Sequence, residues 1–327
     1  MPTVTCLALN SESGPHVEML RDAGFELRFV PDETDLSTPQ AVIEQLRGSA
    51  VSIAGGEPYT REVIEALPEL RVIARSGVGY DAIDLQACDE RGVVVTITPG
   101  VNHHSVAEHT IALLMGVARG FPEADRRVRE CRWKRVSHPR VMGRTLGLIG
   151  LGRIGQAVAT RAIGLGMTVI AYDPFPDREF ARQHGVELVG LDELLRRSDF
   201  VSLHLPATPQ TRHLMNAERF SQMKPGSVFL NTARGSLVDE GALIAALESG
   251  PLRAAGLDVF ETEPLPADSP LLRMPNVLLS GHVAGLDDES HRDTYRLLAD
   301  TVLRLYRGEW PAECIVNRPD REGKWQW

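Results

Sequence analysis

The chain has 327 residues, 43% hydrophobic and 24% charged, and a formal net charge of −9 from 35 Lys and Arg against 44 Asp and Glu. That length suits about two domains with ample core, and the acidic balance gives no electrostatic support to binding nucleic acid or an anionic membrane. The four cysteines show neither metal spacing nor a disulfide framework, Met1–Asn10 carries no basic leader, and no apolar run approaches the ~18 residues of a membrane span; the expectation is a cytoplasmic protein.

Residues 1–98 alternate strand and helix patterns. Val4–Leu9, Glu26–Val30, Ala50–Ala54, Arg71–Arg75 and Val93–Ile97 are strand candidates, with helical patterns near 15–23, 39–47, 60–66 and 82–91 between them. This alternation predicts a parallel sheet covered on both faces. Two loops follow strand ends, Ala54-Gly55-Gly56-Glu57-Pro58 and Ser76-Gly77-Val78-Gly79-Tyr80-Asp81. Ligands of open α/β sheets bind beyond the carboxyl ends of strands, where glycine-flanked N–H groups can form an anion nest.

Thr98-Pro99-Gly100-Val101-Asn102 is a breaker cluster that predicts a crossing between domains. Ser105-Val106-Ala107-Glu108 predicts a capping box ahead of an apolar helix to about Ala118. His103 and His104 lack a carboxylate at ligand spacing and read as surface, and His109 reads as packed, so no metal is expected. Residues 121–144 hold Arg126, Arg127, Arg129, Arg132, Lys134, Arg135 and Arg140 around Trp133. In an acidic chain that segment reads as a solvated or subunit-contacting arm rather than a phosphate patch.

The strand pattern Leu146–Ile149 ends in Gly150-Leu151-Gly152-Arg153-Ile154-Gly155, and a helical pattern runs on from Gln156 to Leu165. Met167–Tyr172 is a second strand, and Asp173 follows 18 residues after the last glycine. Gly150 permits the tight turn, Gly152 lets backbone approach a pyrophosphate, and Gly155 lets helix pack on strand. Asp173 stands where a carboxylate accepts bonds from an adenosine ribose. Strand, helix, second strand and acid together predict a dinucleotide site. Patterns at Glu187–Val189, Asp199–Leu205, Ser227–Ala233, Ala254–Phe260 and Val277–Ser280 extend this to six or seven strands. The amphipathic run Ser290–Tyr306 is one helix too many for that domain and is expected to return to the first.

Three later strand ends carry candidate catalytic groups: Arg234 in Asn231-Thr232-Ala233-Arg234-Gly235, Glu263 after Asp258-Val259-Phe260, and His282 in Ser280-Gly281-His282. An arginine forks onto a carboxylate and polarises the adjacent carbonyl. A histidine backed by a carboxylate serves as a general acid near neutral pH. No Ser/His/Asp or metal constellation competes.

These segments, with His204-Leu205-Pro206, Thr208 and Thr211, resemble the D-isomer-specific 2-hydroxyacid dehydrogenases over roughly residues 50–310. The resemblance implies an α/β protein of two doubly wound parallel-sheet domains: a flavodoxin-like substrate domain (1–98 plus 290–327) and a Rossmann NAD-binding domain (99–289). It implies that Arg234 binds substrate carboxylate and carbonyl, that His282 exchanges the proton and that Glu263 tunes it, with the amides of Gly77, Val78 and Gly79 on the carboxylate. Gly150, Gly152, Arg153, Ile154, Gly155, Asp173, Leu205, Pro206, Thr232, Ala233, Asp258 and Gly285 would contact the cofactor. A homodimer joined through the NAD domains is also implied. One departure is Gly281, where the family commonly has proline before the histidine.

Asp173 would repel a 2′-phosphate, and Pro174-Phe175-Pro176 offers no arginine to receive one, so NAD(H) is expected over NADP(H). The loop Ala54–Glu57 has no positive charge, which favours a small unphosphorylated 2-oxo acid such as glyoxylate or hydroxypyruvate. A short phosphoglycerate dehydrogenase is the alternative within the family. A non-catalytic, NADH-sensing corepressor-like protein is the alternative outside it.

Overall fold

The structure is a computed structural model and describes residues 1–8, 11–319 and 325–327. Leu9, the end of the first predicted strand, lies outside the described residues, as do Asn10 and residues 320–324 of the tail.

In chain order the first elements are β1 (Thr3–Cys6), α1 (Pro15–Asp22), β2 (Glu26–Phe29), α2 (Pro39–Leu46) and β3 (Val51–Ala54). Then follow α3 (Arg61–Ala66), β4 (Val72–Arg75), α4 (Leu85–Arg91), β5 (Val94–Thr96), α5 (His103–Arg119) and α6 (Phe121–Arg129). The glycine-rich stretch joins β6 (Thr145–Ile149) to α7 (Arg153–Gly164), and β7 (Thr168–Tyr172), α8 (Arg178–His184), β8 (Glu187–Leu188) and α9 (Leu191–Arg197) come next. The remainder is β9 (Phe200–Leu203), α10 (Ala217–Ser221), β10 (Ser227–Asn231), α11 (Glu240–Glu248), β11 (Leu252–Leu257), β12 (Val277–Leu279) and α12 (Asp288–Tyr306). Most strands are a residue or two shorter than their apolar runs, because the runs continue into buried loop starts that lack ladder partners.

One compact unit comprises Met1–Asn102 and Asp287–Trp327. Its five parallel strands are ordered β2-β1-β3-β4-β5. Crossover helices cover both faces, so β3 is buried along its whole length. Val42, Leu46, Val63 and Ile64 from α2 and α3 fill one face. Leu20 from α1 and Tyr295, Leu298 and Val302 from α12 fill the other against Val4, Val51 and Val72. Each such fully buried aliphatic side chain contributes about 1.5–3 kcal/mol over its exposed state. Asp287 caps α12 by accepting the Ser290 N–H at 2.7 Å. The chain then returns to the sheet edge, where the Asn317 amide brackets β5 through the Val95 N–H and the Val93 carbonyl, both at 2.8 Å.

The second unit is His103–Leu286. Its seven parallel strands are ordered β12-β11-β10-β9-β6-β7-β8. Chain order reverses between β6 and β9, which is where an open α/β sheet leaves a crevice at its carboxyl edge. Leu146, Leu148 and Val158 pack with α5 on one face, and Val201, Phe220, Phe229 and Leu243 form the core of the other.

The capping box expected at Ser105 is absent. α5 begins two residues earlier, at His103, and Ser105 lies inside its first turn. Its hydroxyl donates to the Ala284 carbonyl at 2.8 Å, and Glu108 pairs with Arg161 at 2.8 Å. A buried carbonyl brought in from far along the chain outcompetes the local amide for the hydroxyl. α6 buries none of its residues, and its arginines are matched along the helix: Arg126 with Glu123 and Glu130, and Arg129 with Asp125. Within α6 the basic run is therefore matched by its own carboxylates, while Arg132, Lys134, Arg135 and Arg140 lie beyond the end of the helix.

Candidate active site

The turn from β6 into α7 explains its three glycines separately. Gly150 has φ +107°, and a Cβ there would stand 2.6 Å from the His204 carbonyl. A Cβ at Gly155 would run into the Gly150 carbonyl oxygen, so this position holds the helix close to its strand. At Gly152 a Cβ would meet nothing within 4 Å. That glycine is not needed for packing; it leaves a hollow in front of the first turn of α7. The hydrogen-bond ladder starts with the Gln156 N–H on the Gly152 carbonyl, so the amides of Arg153, Ile154 and Gly155 face that hollow ahead of it. Free N–H groups and the helix dipole there suit a pyrophosphate.

Asp173 follows β7 and accepts the Leu151 N–H on Oδ2 and the Phe175 N–H on Oδ1, each at 2.7 Å. It thus fixes the glycine-rich turn as well as presenting a carboxylate beside it, and each oxygen keeps a lone pair for a ribose hydroxyl.

At the end of β9 the His204 amide donates to the Ile149 carbonyl at 2.7 Å, and ring Nε2 meets Ser202 Oγ at 2.9 Å. Nδ1 is buried with no partner among the described residues. Burial pushes the imidazole down to about 3 from its ordinary 6.5. Between those values the unfolded chain binds a proton that the folded chain refuses, so stability falls as pH drops through this window. The slope from this one group is about 1.4 kcal/mol per pH unit. Urea unfolding between about pH 7 and pH 5 should show a shallower decline in His204→Gln than in the parent. Equal slopes would remove His204 from the acid sensitivity. Leu205 and Pro206 continue the chain along the same edge, less buried than the strand.

Arg234, Glu263 and His282 come together at the ends of β10, β11 and β12, three adjacent parallel strands. Asn231 shapes the first loop by donating to the Arg234 carbonyl at 2.9 Å and accepting the Ala233 N–H at 3.0 Å. Thr232 is buried there against Thr110 at 2.8 Å. A Cβ on Gly235 would overlap the Phe260 carbonyl, so the Arg234 loop rests on the backbone leading to Glu263. Arg234 Nη1 donates to the Ala233 carbonyl at 2.7 Å.

Glu263 Oε1 accepts the Phe260 N–H at 2.9 Å, and Oε2 lies 2.7 Å from His282 Nδ1. Burial alone would raise this carboxyl. The bonds from His282 and Phe260, with the charges of His282 and Arg234, outweigh burial and hold it below the usual carboxylate range. An ionised Glu263 accepts, so Nδ1 carries the hydrogen of that bond and Nε2 remains for substrate. The His282 side chain is 46% exposed.

His282 has φ +56°, unusual for a residue with a Cβ. Asp258 is what holds it. This fully buried residue accepts the Ser280 hydroxyl (2.6 Å) and the Val283 N–H (3.0 Å) on Oδ1 and the Ala284 N–H (2.9 Å) on Oδ2, while its carbonyl takes the His282 N–H at 2.7 Å. The short segment up to Gly285 is wrapped round one carboxylate. His109 joins beneath, with Nε2 2.8 Å from Ser280 Oγ and 3.5 Å from Asp258 Oδ1. The sequence pattern marks His109 as packed and the family resemblance marks Asp258 as a cofactor contact, and neither gives Ser280 or Gly235 a role.

In the other unit, Gly77 has φ +155° in the loop after β4. Its N–H already donates to the Arg75 carbonyl at 2.9 Å, and its carbonyl takes the Thr98 N–H at 3.0 Å. Of the three amides expected to grip a carboxylate, that of Gly77 is thus already bonded within its own loop.

A family model described as D-isomer specific 2-hydroxyacid dehydrogenase, NAD binding domain, matches residues 111–284. A glyoxylate reductase of Korarchaeum cryptofilum is 44% identical over 299 residues, 89% of this chain and 90% of its own length. A D-3-phosphoglycerate dehydrogenase of Methanocaldococcus jannaschii is 42% identical over 86% of this chain, which spans only 54% of that protein. The structure of a D-lactate dehydrogenase from Aquifex aeolicus, complexed with NAD and lactic acid, superimposes with a TM-score of 0.84 and 29% identity, covering 96% of this chain and 98% of that one.

Proposed function

The chain belongs to the D-isomer-specific 2-hydroxyacid dehydrogenase family, an NAD-dependent oxidoreductase by that membership, and from this premise we propose that it reduces a small unphosphorylated 2-oxo acid of the glyoxylate or hydroxypyruvate kind. The observation that carries the catalytic roles is the 2.7 Å contact of His282 Nδ1 with Glu263 Oε2, beside Arg234 at adjacent strand ends.

Bound NADH supplies the hydride to the carbonyl carbon. Arg234 forks onto the substrate carboxylate and carbonyl oxygen, which fixes the carbonyl and draws off its developing charge. His282 donates its Nε2 proton to that oxygen and regains one from water. Glu263 keeps the ring oriented and stabilises it while charged. Val78 and Gly79 are proposed as a further contact for the carboxylate. We assign the unit formed by the two ends of the chain as the substrate domain. The cofactor contacts are assigned to Gly150, Gly152, Arg153, Ile154 and Gly155 at the pyrophosphate and Asp173 at the ribose. Leu205, Pro206, Thr232, Ala233, Asp258 and Gly285 are assigned to its nicotinamide half.

Among the described residues no helix is long and apolar enough to cross a membrane. The four cysteines are unpaired, which fits a reducing, cytoplasmic setting. Phe121, Val128 and Trp133 expose large apolar surface on the α6 arm, with Trp133 at 81%, and support a homodimer formed there through the NAD-binding unit.

NADH oxidation with glyoxylate, hydroxypyruvate, pyruvate, phenylpyruvate, 2-oxoglutarate and phosphohydroxypyruvate tests this reading. Turnover should be highest with a small unphosphorylated acid. Because the Asp173 carboxylate repels a 2′-phosphate, kcat/KM with NADPH should fall below that with NADH. A ratio above one would refute the assignment of Asp173, and silence with every acid would refute the reaction.

A further inference from the structure

Arg234 and Glu263 leave different strands, β10 and β11, so the loops that carry them must keep one spacing if both are to act on the same substrate. Gly235, seated on the Phe260 backbone, is one tie between those loops. His213, in the segment between β9 and α10, makes a second. Its N–H donates to the Ser236 carbonyl at 2.9 Å, two residues beyond Arg234. Its ring Nε2 lies 2.6 Å from Glu261 Oε1, two residues before Glu263. One residue thus holds the Arg234 loop by its backbone and the Glu263 loop by its side chain.

Both halves of this bridge are anchored. The Met215 N–H donates to the Leu237 carbonyl and the Met215 carbonyl accepts the Asp239 N–H, both at 2.9 Å, so residues 213–215 run beside 236–239 as a short parallel rail. On the other side the Glu261 N–H donates to Glu240 Oε2 at 3.2 Å, in the first turn of α11. Arg212 Nη2 stands 3.5 Å from the same Oε1 that His213 meets. A carboxylate accepts, so Nε2 carries the hydrogen of the His213 bond. His213 has φ +48°, in the left-handed region. Glycine would take that backbone without strain, so what a side chain adds here is the bond to Glu261.

We propose that His213 and Glu261 are positioning residues for the reaction, their bond setting the spacing between Arg234 and the Glu263–His282 pair. Neither touches the reacting atoms. This rests on the oxo-acid reading above and adds to it the residues that keep its cation and its acid in register.

The test is kcat for NADH-dependent reduction of the parent's best oxo acid, beside the dissociation constant for NADH. His213→Asn keeps a residue that accepts the left-handed backbone and withdraws the ring. Glu261→Ala withdraws the carboxylate and leaves that backbone alone. Each should lower kcat about tenfold and leave the NADH constant within about twofold, since an ångström of misplacement at a reacting centre costs up to about a hundredfold. The double variant should be no slower than the slower single, because both changes cut the same tie. Glu261→Gln keeps an acceptor for Nε2 and should recover most of the loss. A loosened contact with His282 also lets the Glu263 carboxyl rise, so the acid limb of the kcat profile should move to higher pH in both single variants. If one single variant does not fold, the other still reads the bond. A kcat within about twofold of the parent in a folded variant, or a double variant whose loss is the product of the two singles, would overturn the proposal while the oxo-acid reading stood. Absence of turnover with any oxo acid in the parent would overturn that reading and this inference with it.

Discussion

Replacing His282 with alanine is expected to lower kcat for oxo-acid reduction by roughly two to four orders of magnitude, the range of a positioned general acid. The dissociation constant for NADH, read by fluorescence titration, should move far less. The reason is architectural. The loop that carries the ring is fixed by Asp258 through Ser280, Val283 and Ala284, and none of those bonds uses the imidazole. Alanine tolerates the +56° φ of this position less readily than glycine, so His282→Gly is the companion variant. Both should lose turnover alike if the proton donor is what was removed. If either variant kept more than a tenth of the parental kcat, His282 would not be the acid.

The α/β alternation and the order of the elements were legible because each crossover helix and buried strand leaves its own period in the sequence. The glycine-rich turn was legible for a local reason: Gly150, Gly152 and Gly155 act within one strand–turn–helix. Glu263 and His282 are 19 residues apart, and their contact follows from β11 and β12 lying side by side. Strand-end position was enough to suggest it.

What was hidden depends on which backbone group stands opposite. Ser105 gives a convincing capping pattern, and only the presence of the Ala284 carbonyl diverts its hydroxyl. The Gly77 amide looks available in the sequence and is spent on Arg75. The family resemblance places Asp258 near the cofactor, but nothing local identifies it as the post around which the His282 loop is wound. Arg75 reads as the end of a strand, and only the pairing of β3 with β4 carries its charge to the Ala54–Glu57 loop. In each case the decisive partner is one that no local pattern encodes.

Arg234→Gln is expected to reduce kcat/KM by roughly two to three orders of magnitude, the cost of losing a charged donor aimed at a developing oxyanion. Glutamine keeps a donor but neither the charge nor the fork. Arg234→Lys keeps the charge as a point and should recover part of the loss, with the remaining defect mostly in kcat, because one ammonium cannot grip carboxylate and carbonyl in a fixed plane. The loop should survive both changes. Its shape comes from the Asn231 side chain on the Arg234 carbonyl and the Ala233 amide, and from Gly235 seated on the Phe260 backbone. Melting temperature therefore serves as the control: a large drop in activity with little drop in stability places the loss in the site. The ion-pair logic also fixes a second readout. Arg234 helps hold the Glu263 carboxyl below its usual range, so removing the guanidinium weakens that hold and moves the acid-side loss of Glu263 ionisation to higher pH. A defect in Arg234→Gln smaller than about tenfold would mean that the substrate carboxylate is held elsewhere, and the Val78 and Gly79 amides would then be the groups to remove next.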